Sequence, residues 1–277
     1  MRLTRRGRLV VTIGVAVVLV AAGFVALTRT PLGPLVGLGT APPCTLDVGS
    51  DELDWSAQEA MTATTVTAVG VRIGATENGV AAAVGRALEP ERDSALSPAT
   101  ARQIYRLLPD VAHPDPPELA VARALLGQRG GALTCVVALA GDDVPVQRLG
   151  PTGLTPRAEA VRGALRDAFG RQTLGGFAPG GVSGGHVEGS AHYEGRAIDV
   201  FFRPVTAANT RAGWTVAEWA VAHAEPLDLD TVIFDRMIWS SDKSALGWRR
   251  YRYPGGTTDN PVLLHEDHVH LDVVRGG

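Results

Sequence analysis

The 277-residue sequence has two cysteines, seven histidines, almost no lysine and a formal net charge of only −3. With so small a net charge there is no basic footprint for a phosphate backbone, so no nucleic-acid partner is expected. The shortage of lysine goes with heavy use of Ala, Val, Gly and Arg, a composition typical of a GC-rich genome. The glycine-rich stretch at 173–185, "TLGGFAPGGVSGG", lacks the lysine of a P-loop, which argues against a phosphate cradle there. No Gly-x-Ser-x-Gly elbow surrounds Ser190, which argues against a serine nucleophile. What is present is globular: 45% hydrophobic and 20% charged, long enough for one large domain or two small ones.

Only one run is long and apolar. Arg2, Arg5, Arg6 and Arg8 precede Leu9–Leu27, which carries no charge. As a helix this run would span roughly 28 Å, near the hydrocarbon thickness of a bilayer. The positive flank should stay in the cytoplasm, with the rest of the chain exported. No strong small-x-small cleavage site follows, so an uncleaved signal anchor (residues 1–27) is favoured over a cleaved signal peptide. The expected location is the cell membrane, single-pass, with an extracytoplasmic C-terminal part; if the segment is cleaved, the protein is secreted. Both cysteines, Cys44 and Cys135, lie beyond this run. An even count in an exported chain suggests one disulfide, with two buried thiols as the alternative. Closing a loop of about ninety residues would contribute roughly 4 kcal/mol.

Residues 28–43 are rich in Pro and Gly and read as a linker. Residues 44–143 read as a small, mostly helical domain. Helix starts are visible at Ser56, at Ser97-Pro98 and at Pro116, and a strand or short buried segment surrounds Cys135. Residues 151–277 read as a second domain. Thr155–Gly170 has a Thr cap, Pro at the first helical position and a terminal Gly. Arg196–Arg203 alternates like a strand, Thr215–Leu227 reads as a helix stopped at Pro226, and four short strands follow. The order implies an α+β domain with an antiparallel sheet and helices on one face.

Six of the seven histidines lie between His186 and His270. They fall into two clusters, "SAHYEGRAID" at 190–199 and "HEDHVH" at 265–270. Imidazole and carboxylate are zinc ligands, and catalytic zinc sites keep one position open. Ligands from two distant strands, with a carboxylate base nearby, would suit a zinc hydrolase. His268 and His270 are two apart on a strand and should share a face, together with Glu266. Asp267 should face the other way on an ideal strand. Gly195 permits a positive φ where the loop must turn back.

Ser190, His192, Gly195, Ala197 and Asp199, followed by Asp267, His268 and His270, resemble the motif of the zinc D-alanyl-D-alanine carboxypeptidase family. That family includes the vancomycin-resistance carboxypeptidases and shares its fold with the Hedgehog signalling domain. The resemblance covers about Thr155–Val274, and the region is also similar to secreted actinobacterial proteins with such a C-terminal domain. It implies a Hedgehog/DD-peptidase-like sheet with flanking helices and a zinc ion held by His192, Asp199 and His270. It further implies Asp267 as general base, with Glu266 as runner-up, and His268 as oxyanion stabiliser or second base. Ser190 would cap its turn or touch substrate.

The implied activity is that of an exported zinc metallopeptidase acting on peptidoglycan stem peptides. One alternative is an inactive zinc-containing domain that binds peptidoglycan or a partner protein. Another is a metal-free structural network. His186 reads as a loop residue with a local hydrogen bond, the alternative being that it lines the substrate groove or orients a ligand; His265 reads as solvent-facing and His223 as a satisfied surface or core histidine. Trp239 and Trp248 read as core, and Arg236 as solvated surface charge.

Overall fold

Three antiparallel strands surround the disulfide. In the computed structural model, which describes residues 43–89, 94–109, 113–138 and 144–277, β1 (Cys44–Asp47) pairs with β2 (Glu52–Trp55) on one side and with a later strand on the other. The apolar run Leu9–Leu27 lies outside the described residues. Among those residues no helix is long and apolar enough to cross a membrane.

The helices that follow start where their capping residues dictate. Ser56 and Glu59 close a capping box on α1 (Ala57–Ile73), and Gly74 ends it with φ 72°. Every residue from Thr62 to Gly70 is buried, so α1 is a central helix and not a surface one. Its buried threonines turn inward on the helix: Thr64 and Thr67 donate to the carbonyls of Ala60 and Ala63, at 2.7 and 2.9 Å. The next helix, α2 (Glu77–Leu88), escapes the sequence reading because Gly79 and Gly85 dilute its apolar pattern. Thr76 caps it. Ser97 and Pro98 open α3 (Pro98–Leu107), and Asp115 and Glu118 cap α4 (Pro116–Arg123). Strand β3 (Leu133–Cys135) then completes the small sheet in the order β2-β1-β3. Cys44 and Cys135 are cross-strand partners and are joined by the disulfide, the state expected of an exported chain.

The second part of the chain builds a six-stranded antiparallel sheet. Thr155 caps α5 (Pro156–Phe169), as its sequence indicates. Then come β4 (Leu174–Gly175), a 3-10 turn at Ala191–Glu194, and β5 (Ala197–Phe201). Helix α6 (Ala207–Ala222) starts two turns before the expected Thr215 and stops at His223, ahead of Pro226. Thr206 caps it, and Gly213 lies in its interior because a Cβ there would meet the Phe234 ring at 2.1 Å. Strands β6 (Leu229–Phe234), β7 (Met237–Ser240), β8 (Arg249–Arg250) and β9 (His268–Val273) follow. The sheet order is β4-β5-β9-β6-β7-β8, so β5 and β9 are neighbours inside it. This is an α+β fold with antiparallel sheets.

The two halves of the chain are not separate bodies. Residues 43–277 form one compact unit, where the sequence reading divides 44–143 from 151–277. Helix α1 packs on α5 and α6. Trp239 and Trp248 reach from the large sheet to donate to the carbonyls of Cys135 (3.2 Å) and Leu133 (2.9 Å). The fully buried Glu218 of α6 accepts from Ala132 N at 2.9 Å. Trp239 is therefore a core residue and Trp248 a half-buried one packed against the core, both tied to β3.

Candidate metal centre

The two faces of β9 have opposite characters. Val269, Leu271 and Val273 belong to the core. His268, His270 and Asp272 alternate with them and line a cavity of about 590 Å³. On β5, Ile198 and Val200 are core, whereas Asp199 and Phe201 face the cavity. Asp199 and His270 are direct cross-strand partners. The third member, His192, comes from the 3-10 turn, which Ser190 caps by accepting from His192 N at its hydroxyl. Gly195 ends the turn at φ 64°, where a left-handed residue lets the chain fold back into β5.

Three atoms converge. His192 Nε2 lies 3.0 Å from His270 Nδ1 and 3.2 Å from Asp199 Oδ1. His270 Nδ1 lies 3.2 Å from the same oxygen. Ligand atoms about 2.0–2.1 Å from a tetrahedral zinc lie roughly 3.3 Å apart, so this triangle matches one face of such a site. The outer nitrogens fix the tautomers. His192 Nδ1 donates to the Gly176 carbonyl at 2.8 Å, and His270 Nε2 donates to Asp272 Oδ2 at 3.4 Å. In the neutral rings the inner nitrogens are then bare. Two lone pairs and a carboxylate oxygen at this spacing repel one another unless a cation sits among them. The protonation tendencies reflect the same demand, with a proton on His270 taking the place of the cation. Burial raises the Asp199 carboxyl, but hydrogen bonds from His192 and His270 outweigh it and hold the group well below the carboxylate range. Burial lowers His270, yet its bonds to Asp199 and Asp272 push it up to about 9. The buried cluster His192, Asp199 and His270 could thus hold a metal ion.

Around the triangle stand residues that the sequence reading placed differently or missed. His186 makes the local hydrogen bond expected of it, and its ring also stacks on His192 with centroids 3.9 Å apart. Tyr193 holds it through its backbone N and O. His265, expected to face solvent, lines the cavity 4.7 Å from the His268 ring, and its buried Nδ1 has no hydrogen-bond partner. Its φ is 56°, a strained value for a non-glycine residue. Burial, followed by the nearby His270 and His268, lowers its basicity to about 2. Gly176 is irreplaceable in shape: a Cβ would lie 2.2 Å from His192 Cε1, and its φ is 80°. Asp272 was legible in principle, being two residues beyond His270 on the same strand face.

Asp267 and His268 also form a unit. His268 Nδ1 donates to Asp267 Oδ1 at 2.7 Å, and His268 Nε2 points toward Asp199 Oδ1 at 3.7 Å. The other Asp267 oxygen accepts from Arg203 Nε, and the Arg203 guanidinium lies 4.2 Å over the Phe201 ring. Both Asp267 oxygens are therefore engaged, one by His268 and one by Arg203. Glu266 is paired with Arg236.

Residues 150–262 match the model of the family described as VldE, C-terminal domain. The match takes in His192 and Asp199 and stops before β9. No curated protein and no solved structure matches the chain.

Proposed function

We propose that the protein is an exported zinc metallopeptidase with a Hedgehog/DD-peptidase-like domain. It hydrolyses cell-wall peptides, as a D-Ala-D-Ala carboxypeptidase or a related peptidoglycan peptidase. The observation that carries this reading is the triangle of His192 Nε2, Asp199 Oδ1 and His270 Nδ1, with both outer imidazole nitrogens anchored. The donor set of two imidazoles and one carboxylate fits zinc with one position left open. When bound, zinc supplies Lewis-acid polarisation of the scissile carbonyl and acidifies water toward neutral pH.

The protein's own groups do the rest. Asp267 holds His268 in the tautomer that leaves Nε2 bare and turned toward the metal triangle. His268 is then the general base, taking a proton from the attacking water and passing it to the leaving amine. Asp267 acts through His268 as a positioning residue and stabilises the imidazolium. Ser190 shapes the turn under His192 and lines the cavity, within reach of substrate. Loosely bound apolar residues of a peptide would face Tyr251, Tyr253 and Leu263.

A second reading, a zinc-holding domain that binds wall peptide without cleaving it, is favoured by the engagement of both Asp267 oxygens. Zinc analysis combined with hydrolysis of D-Ala-D-Ala-terminated peptides separates the two. The peptidase reading expects about one zinc per chain and cleavage. His268→Ala should keep the zinc and lose about 10²–10⁴-fold in kcat. Zinc with peptide binding and no cleavage supports the second reading, and a wild-type chain that takes up no zinc removes both.

A further inference from the structure

On the far side of the motif loop lies a second cavity, of about 320 Å³, lined by Arg148, Arg157, Arg196 and Arg275. Among the described residues lining it, Glu194 is the one acid. This is an unusual concentration of positive charge for a chain whose net charge is −3. The Glu194 carboxylate is divided between Arg196 Nε (2.7 Å) and Arg275 Nε (3.2 Å). Arg157 pairs with Asp228 at 3.3 Å. Arg148 has no partner among the described residues. Four guanidiniums thus face two carboxylates, an excess of about two positive charges at neutral pH.

Two of the arginines are fixed in place. The Arg157 side chain is only 9% exposed and also donates to the Pro145 carbonyl at 3.1 Å. Arg196 is 15% exposed and donates to the Val273 carbonyl at 2.5 Å. Arg148 and Arg275 are the exposed pair at the mouth. The first turn of α5, through Thr155 and Arg157, adds the positive end of a 14-residue helix. The volume is at the small end of the range for ligand pockets, about 300–1,000 Å³.

We propose that this cavity binds the phosphate group of a phosphate monoester. Such a group carries about −1.5 to −2 charges at pH 7 and three acceptor oxygens. That charge matches the local excess, and its oxygens match fork-shaped guanidinium donors. The site is separate from the metal triangle and does not depend on its chemistry. Glu194 ends the turn that carries His192, and Arg196 follows it into the second cavity.

Calorimetric titration of the full chain in a neutral detergent tests the assignment. The probes are inorganic phosphate, glycerol 3-phosphate (the deacylated headgroup of phosphatidic acid) and the diester glycerophosphoglycerol. Saturable one-site binding of phosphate or glycerol 3-phosphate is expected, weakening with added salt. Whichever of these two binds more tightly distinguishes free phosphate from a lipid headgroup as the source. The Arg148→Gln/Arg275→Gln variant, altered at exposed positions only, should bind about tenfold or more weakly while unfolding at the wild-type temperature. Absence of saturable binding, equal binding by a folded variant, or a diester bound as tightly as the monoesters would overturn the proposal.

Discussion

His223 and His270 are both enclosed by protein, but they differ in what their nitrogens meet. His223 sits between α1 and α6, stacked on Trp219 with centroids 4.6 Å apart. Its Nδ1 donates to the Trp219 carbonyl at 2.8 Å, and its Nε2 lies 3.2 Å from the Thr65 hydroxyl, which can donate to it. Each nitrogen has a partner of the opposite kind, so the neutral ring is complete. Burial accordingly lowers its pKa to about 4. His270 has only its outer nitrogen satisfied in this way. Its inner nitrogen faces a bare nitrogen of His192 and an oxygen of Asp199. A structural histidine closes its own hydrogen-bond account, whereas this cluster is left one cation short.

The largest effect should come from emptying the triangle. His192→Ala is expected to reduce bound zinc from about one per chain to near zero and to abolish cleavage, measured by metal analysis and peptide hydrolysis. Full zinc in that variant would erase the distinction between the two histidines. Gly176→Ala forces a Cβ toward His192 Cε1 and also requires φ 80° of an alanine. A stability loss of about 1–3 kcal/mol is expected, together with weaker zinc retention against a chelator. Asp272→Asn keeps the shape but removes the charge behind His270. Zinc affinity should fall by about 10–100-fold with little change in folding, read by competition with a chromogenic chelator.

The smallest effect is the pH response of His223. Its folded pKa lies below the ordinary value of 6.5, so the unfolded chain takes up the proton first. Its contribution is whole above about pH 6.5 and is lost as pH falls toward about 4. In the metal-free His192→Ala background, denaturant unfolding should show stability declining through this window. Adding His223→Gln should flatten the decline; an unchanged slope would take His223 out of the comparison.

The triangle of His192, Asp199 and His270 was legible through the family resemblance, which implies these three residues as ligands. Period-two alternation places His268 and His270 on one face, and Gly195 marks the turn before Asp199. The same alternation reaches Asp272, whose role rests on its contact with His270 Nε2 and not on the motif. Gly176 was not legible: in a stretch with so many glycines, only the approach of the His192 ring shows which one matters. His265 was misplaced because its direction depends on a left-handed backbone, fixed by bonds from Asp235 N to its carbonyl and from its own N to Val262. Asp267 lies just before β9, outside the reach of the strand rule, and its contact with Arg203 is a tertiary pairing across 64 residues. The merging of the two regions was also hidden, because it depends on Trp239 and Trp248 finding carbonyls more than a hundred positions earlier.

The pairing of Asp199 with His270 joins positions 71 residues apart. On a ribosome adding about 5–20 residues per second, the strand bearing His270 is made several seconds after the strand bearing Asp199. During that interval His192 and Asp199 lack the third member of the triangle. The centre of the large sheet is also open, because β9 has to insert between β5 and β6. Closure of the sheet and assembly of the triangle are therefore coupled, because the insertion of β9 completes both.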